Sequence, residues 1–188
     1  MALSLARFRQ FILGISLEET TFARRGFRAG APSARHRLEK IGRVFLQGYH
    51  AALNENESAA LARRLNTIEP EFRGFAFEGA AMGLALLDHL TPWKKNRLQA
   101  FLAGPGTAHT YMVHVGAGWV LARIPWLRRN VDEPLANLDP LLRWLAIDGY
   151  GFHEGYFRWH KYIKGESHPR RLKGYARRAF DQGLGRSL

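Results

Sequence analysis

The densest run of residues able to move a proton or hold an ion is Phe152-His153-Glu154-Gly155-Tyr156, with Trp159 and His160 close behind. Seven residues bring a helix nearly back to the same face, so His153 and His160 share one side. An imidazole titrates near neutral pH, and a neighbouring carboxylate can hold or exchange its proton. His153 and Glu154, with His114 from an earlier helix, are therefore the candidates for general acid–base chemistry. A helix-borne metal site wants ligands one turn apart, as in His-x-x-x-His, or Glu-x-x-His on facing helices. Neither spacing occurs, and His109 and His114, five residues apart, fall on different faces. The competing reading of the same residues is structural, as hydrogen-bonding partners within the core.

Glu78 and Glu154 each precede a glycine in a recurring short pattern, where Gln47 and Gln182 stand in two other copies. A shared geometric task is expected, either capping a neighbouring helix end or, if two carboxylates faced one cavity, proton transfer. Aromatic residues make up 12% of the chain and crowd into the same helices. They read as core between stacked helices, or as a ring-lined groove for a flat or polyunsaturated hydrophobic ligand. The candidate ligand-binding residues are Tyr111, Trp119, Tyr156, Trp159 and His160. No phosphate-binding loop, dinucleotide fingerprint, nucleophile elbow or His-Glu-x-x-His signature is present, so the cofactor, if any, is unknown.

The elements that must position these residues follow from the repeat. An apolar residue, two positions and a glycine recur as Phe45 to Gly48, Ala76 to Gly79, Val113 to Gly116, Phe152 to Gly155 and Phe180 to Gly183. The copies lie roughly 30–40 residues apart, the period of a helical hairpin. The expected fold is all-α: stacked helical hairpins forming an irregular α-α repeat or superhelix, with a short helical N-terminal arm over residues 1–32 and a repeat body over 33–188. Glycine inside a helix costs about 1 kcal/mol against alanine, so glycine on a buried stripe points to close approach by a neighbouring helix.

Along the chain, Leu3 to Leu13 predicts a short amphipathic helix, with a membrane-surface role as one reading. A capping box of Ser16 and Glu19 predicts a helix from Leu17 to Arg25 closed by Gly26. Long helices are expected from Ser33 to Asn54 with Leu38 and Ile41 on the apolar stripe, from Glu71 to Leu90, and from Ala108 to Arg123. Thr91-Pro92 and Asp139-Pro140 read as cap-plus-proline starts. Pro125 to Asn137 reads as an irregular surface connection. Asp148-Gly149 is expected to break the chain before a helix from Gly151 to Ile163, and a last helix runs from Arg171 into Gly183. Because the fifth copy of the pattern has no return helix, the body is expected to be truncated at its C-terminal end. The apolar edge expected there would meet a further C-terminal segment or a second copy.

The 188 residues suffice for one core without a cofactor, and the absence of cysteine excludes disulfides, thiolate metal sites and a cysteine nucleophile. No apolar run is long enough to span a membrane and no signal-peptide order opens the chain, so a cytoplasmic location is expected. The net charge of +12 is spread in small groups, including Arg24-Arg25, Lys94-Lys95, Arg128-Arg129, Arg170-Arg171 and Arg177-Arg178. That spread favours a solvated surface over an acidic partner, an anionic ligand or nucleic acid, and no nucleic-acid-binding motif is present.

Several longer segments carry a family resemblance: Phe77-Glu78-Gly79-Ala80-Ala81-Met82, Tyr111 to Trp119, Leu145 to Tyr156, and Ala179 to Gly185. From Gly14 to the last residue the chain resembles an uncharacterised bacterial family that recurs among genes for enediyne polyketide biosynthesis. The family has no assigned reaction, so no catalytic role transfers to any position. Its members are longer than this chain, in keeping with the missing return helix. The resemblance implies an accessory helical-repeat protein of that biosynthesis, binding a hydrophobic polyene intermediate or a biosynthetic partner protein. The alternative is an enzyme processing the nascent polyene through His114, His153 and Glu154.

Overall fold

Prolines and short polar residues set several helix starts in this chain, and buried glycines set how the main helices meet. The computed structural model describes residues 5–28, 30–91, 93, 96–165 and 167–188, and among these the fold is all-α, made of packed antiparallel helix pairs without strands. The chain divides into two compact units, Met1–Val113 and His114–Leu188.

The first unit opens with helix α1 (Leu5–Leu13), a 3-10 turn at Leu17–Thr20 and a single helical turn, α2 (Phe22–Arg25). The single helix expected from Leu17 to Arg25 is thus two pieces. The Ser16 hydroxyl accepts from the Glu18 amide at 3.3 Å rather than from Glu19, and Thr21 leaves the helix to cap α2, accepting from the Arg24 amide at 3.2 Å. Gly26 closes α2 in the left-handed region at φ 68°, where a side chain would be strained. The arm is tied to helix α3 (Pro32–Asn54) through the Tyr49 hydroxyl, which donates to the Leu13 carbonyl at 2.7 Å, and the Ile15 amide, which donates to His50 Nε2 at 3.2 Å.

Helix α4 (Ser58–Asn66) returns along α3, and helix α5 (Pro70–Leu90) forms the main pair with it. Pro32 and Pro70 occupy first-turn positions, where the missing amide has no intrahelical partner to lose. Leu61, Leu65, Phe72, Phe77 and Phe101 fill the core between them, each worth about 1.5–3 kcal/mol on burial. Leu38, expected on the buried stripe of α3, is 53% exposed, while Ile41 of the same stripe packs against the core. Helix α6 (Arg97–Leu102) does not take its cap from Thr91. The Thr91 hydroxyl donates back to the Leu87 carbonyl and closes α5, while the Asp88 carboxylate accepts from the amides of Arg97 and Leu98. Pro92 and the Lys94-Lys95 pair lie outside the described residues. Helix α7 (Thr110–Arg123) begins in this unit.

In the second unit, Pro125–Arg129 forms a 3-10 turn and Asp132–Leu135 one helical turn, α8, so the stretch read as irregular carries two short helical pieces. Asp139 accepts from the amides of Leu141 and Leu142 and leads into helix α9 (Arg143–Trp159). The break expected at Asp148-Gly149 is absent, because Gly149 serves as a contact surface inside a continuous helix. A π-helical turn follows at His160–Lys164, and helix α10 (Gly174–Arg186) packs back on α9. The exposed positions of α10 include Tyr175, Arg177, Arg178 and Gln182.

One device is used at all three main helix crossings. In α3 and α5, a Cβ on Gly48 would fall on the Ala76 carbonyl, and one on Gly79 on the Phe45 carbonyl. In α7 and α9, Gly118 faces Ala146 and Gly149 faces Val115 in the same reciprocal way; in α9 and α10, Gly151 faces Phe180 and Gly183 faces Asp148. Residues two apart on a helix point about 200° from one another, so Gly149 and Gly151 let α9 take a close neighbour on each of two sides. The structural register is therefore Val115 to Gly118 in α7, and Ala146 to Gly149 with Asp148 to Gly151 in α9. The frames ending at Gly116 and Gly155 are displaced from it.

Candidate functional site

The chemistry-bearing residues of the second unit gather around the C-terminal half of α9. Glu154 is fully buried and His153 nearly so, at 5%. Arg158, one turn on, approaches the Glu154 carboxylate at 3.4 Å, and the Tyr162 hydroxyl donates to it. Tyr162 reaches back because the chain leaves α-helical geometry at Arg158 (φ −137°, ψ 30°) and winds the next turn as a π-helix. Such wide turns recur at functional sites; here the turn brings a phenol over a buried acid.

The electrostatics hold this cluster in one protonation state. Burial pushes the Glu154 carboxyl up, but His153, Tyr162 and Arg158 together outweigh it and bring it below its ordinary range. Burial lowers His153 below the usual imidazole range more than the neighbouring carboxylate raises it, so the ring is neutral at pH 7. His153 Nδ1 stands 3.6 Å from Glu154 Oε1, just beyond hydrogen-bond length. Burial, then the hydrogen bond to Glu154 and its charge, raise Tyr162, which remains protonated and donates; burial and then the Glu154 charge raise Tyr150 as well. A second buried acid, Asp148, is paired with Arg186 of α10.

Phe152 and Tyr156, each two residues from Glu154, project from the other side of α9 into an aromatic group. Trp119 of α7 packs edge-on against His153 at 5.3 Å between ring centroids and contacts Phe152 at 5.7 Å and Phe157 at 6.3 Å. Phe152 stacks on Tyr156 at 6.1 Å, and Tyr156 meets Phe157 at 5.0 Å. Trp119 is buried, whereas Phe152, Tyr156 and Phe157 are half-buried and form a ring-lined face. Trp159 is half-buried and stacks on the exposed His160 at 3.4 Å just beyond the Arg158 kink.

Of the predicted catalytic residues, His153 and Glu154 are brought together. His114 is buried in α7, close enough to Asp139 to help hold its carboxyl low, an effect due first to the Leu142 and Leu141 amides. Of the predicted ligand-binding residues, Trp119 and Tyr156 belong to the aromatic face, Trp159 and His160 form the stacked pair beyond it, and Tyr111 lies half-exposed in the first unit. Gln47 and Gln182 are exposed while Glu78 and Glu154 are buried, so these four positions do not share one task. Sequence reasoning passed over Tyr162, Arg158 and Asp148. The first two follow Glu154 at four and eight residues, a helical spacing that could have marked them. Among the described residues, no group of three or more His, Asp or Glu side chains is placed to hold a metal ion.

The fold and this arrangement define an all-α protein of antiparallel helix pairs, with a half-open aromatic face and a buried acid on one helix. Residues 4–188 match the family described as Protein of unknown function (DUF1702), and the chain belongs to that family. Comparison with curated proteins and with solved structures gives no match.

Proposed function

We propose that this chain is an accessory binding protein of enediyne-type polyketide assembly, holding a hydrophobic polyene intermediate, or the partner protein that carries it, on the aromatic face of α9. The observation that carries the reading is that Phe152, Tyr156 and Phe157 are half-open around the buried Trp119, while Glu154 of the same helix has no exposure. Offset aromatic rings give a conjugated chain a broad apolar contact. The resemblance of Leu145 to Tyr156 and of Tyr111 to Trp119 to proteins of enediyne gene clusters supplies the biosynthetic setting.

Turnover through His114, His153 and Glu154 is the weaker reading. A general base must come within hydrogen-bond reach of the proton it takes, and the Glu154 carboxylate is fully buried and engaged by Arg158 and Tyr162.

The fluorescent tetraene parinaric acid tests the reading. Saturable quenching of tryptophan emission is expected, weakened at least about tenfold by Tyr156→Ala or Phe157→Ala, as expected for loss of an aromatic contact worth about 1.5 kcal/mol including its buried area. Absence of saturable binding to the wild-type chain would contradict it. In a producing strain, conservative substitutions of His114, His153 and Glu154 should leave product formation intact wherever folding is intact; loss of product with folding preserved would restore the enzymatic reading.

A further inference from the structure

Helix α1 turns an apolar face away from the rest of its unit. Phe8, Phe11 and Ile12 are 50%, 85% and 57% exposed. At about 100° per residue they fall within one arc, with Phe8 near its centre and Arg7 and Arg9 on its two margins. Other groups hold the helix to α3. The Asn54 amide donates to Gln10 Oε1 at 3.1 Å and the Tyr49 hydroxyl to the Leu13 carbonyl, with Ala6 and Leu13 half-buried. The apolar face is thus fixed in place by bonds in which it takes no part.

The charges at the margins of this face are both positive, and no residue from Met1 to Leu17 is acidic. Arg7 is exposed, and Arg9 donates to the neutral side-chain amide of Asn56 at 3.1 Å. Burial, and then the like charge of Arg97, lower Arg9 below the usual guanidinium range, although Arg97 is itself paired with Asp88. A helix with an apolar face between basic margins suits the interface of a bilayer, with its apolar side chains at the acyl boundary and its arginines among the headgroups. Among the described residues no helix is long and apolar enough to cross a membrane, so such a contact involves one leaflet.

We propose that α1 docks the protein on an anionic lipid surface, with Phe8, Phe11 and Ile12 inserted and Arg7 and Arg9 at the headgroups. Charge selects this occupant over a second copy of the chain, because two such faces laid together would bring four arginines into one contact with no carboxylate from either helix. Three exposed apolar side chains are also few against the roughly 20–30 residues a side of a stable protein interface. The net charge of +12 draws the whole chain towards the same surface.

The test is cosedimentation of the full chain with phosphatidylcholine vesicles, with and without phosphatidylglycerol. Binding to the vesicles that contain phosphatidylglycerol is expected to be at least about tenfold tighter and to fall as salt rises. Phe11→Ser should weaken it by at least about tenfold, the effect of losing one phenylalanine from an apolar medium, and should leave the urea midpoint unchanged because Phe11 is 85% exposed. Arg9→Gln should weaken binding to the anionic vesicles alone, about fivefold. The chain has no cysteine, so an environment-sensitive fluorophore on Ile12→Cys reports on α1, and one on Gln182→Cys, exposed in α10, is the control. A blue shift with quenching by brominated lipid at the first site, absent at the second, is the predicted result. Undiminished binding by Phe11→Ser, or an equal response of both labels, would overturn the proposal in favour of adhesion through net charge. Failure to bind either vesicle would overturn it outright, and a concentration-dependent dimer lost in Phe11→Ser would then assign the face to a second copy.

Discussion

The α3–α5 crossing of the first unit and the α7–α9 crossing of the second are built in the same register and finished differently. Gly48 and Gly118 each meet an alanine backbone, Ala76 and Ala146, and Gly79 and Gly149 each meet the residue three before the opposing glycine. As many residues separate Gly118 from Gly149 as separate Gly48 from Gly79. Carried along in that register, Tyr49 corresponds to Trp119, Glu78 to Asp148, and Gly83 to His153. In the first unit the close approach continues, for a Cβ on Gly83 would crowd the Cβ of Ala52 at 2.8 Å. In the second the corresponding place holds an imidazole packed edge-on against Trp119. One crossing therefore ends in a close helix–helix contact, and the other in a buried imidazole packed against an aromatic ring. The same scaffold is a core in one unit and a candidate site in the other.

The largest effects should come from the shared part of the crossings. Gly48→Ala and Gly118→Ala each place a methyl group on backbone atoms that cannot swing aside, and each should destabilise its unit by about 3 kcal/mol or more, measured by urea unfolding. Similar losses would support the equivalence of the two crossings; a mild effect at one would break it. Glu154→Gln comes next. It removes the charge that Arg158, Tyr162 and His153 surround, and with Arg158 nearly half exposed the loss should be about 2 kcal/mol.

A smaller effect concerns pH. Because burial holds the folded-state pKa of His153 below its ordinary value of 6.5, the unfolded chain takes up that proton first, and stability should fall as pH drops below about 6.5. His50 and His109 of the first unit are shifted the same way, chiefly by burial, and add to the slope. His153→Gln should flatten, without abolishing, the decline in thermal midpoint between pH 7 and pH 5. An unchanged slope would show that this imidazole does not titrate with unfolding. The smallest effect is expected at Tyr49→Phe, which loses one hydrogen bond to the Leu13 carbonyl, worth about 1 kcal/mol by denaturant unfolding.

Much of this architecture was legible in the sequence, because apolar spacing, prolines and capping residues act locally. The ends of α3, α5 and α7 fall within a few residues of where Asn54, Leu90 and Pro125 place them. The register of the glycine contacts was harder to read. Several glycines lie two residues apart, and only the neighbouring helix decides which of Gly116 and Gly118, or of Gly149, Gly151 and Gly155, it meets. The same limit explains the false break at Asp148-Gly149: a glycine that signals a turn in isolation is, between two helices, a contact surface. At the candidate site, His153, Glu154, Trp119 and Tyr156 could be named from residue type. The part played by Tyr162 depends on a π-turn, and the aromatic group around Trp119 draws on α7 and α9 at once.

The central claim is that the aromatic face of α9, formed by Phe152, Tyr156 and Phe157, receives an apolar chain. The most direct measurement is a nuclear magnetic resonance titration of the tryptophan indole N–H signals with parinaric acid, the Trp119 signal being assigned from Trp119→Phe. Trp93 and Trp126, 82% and 55% exposed, serve as internal controls. The prediction is a saturable shift of the Trp119 signal with those of Trp93 and Trp126 unmoved. A shift confined to Trp93 or Trp126, with Trp119 unmoved at saturation, would contradict it.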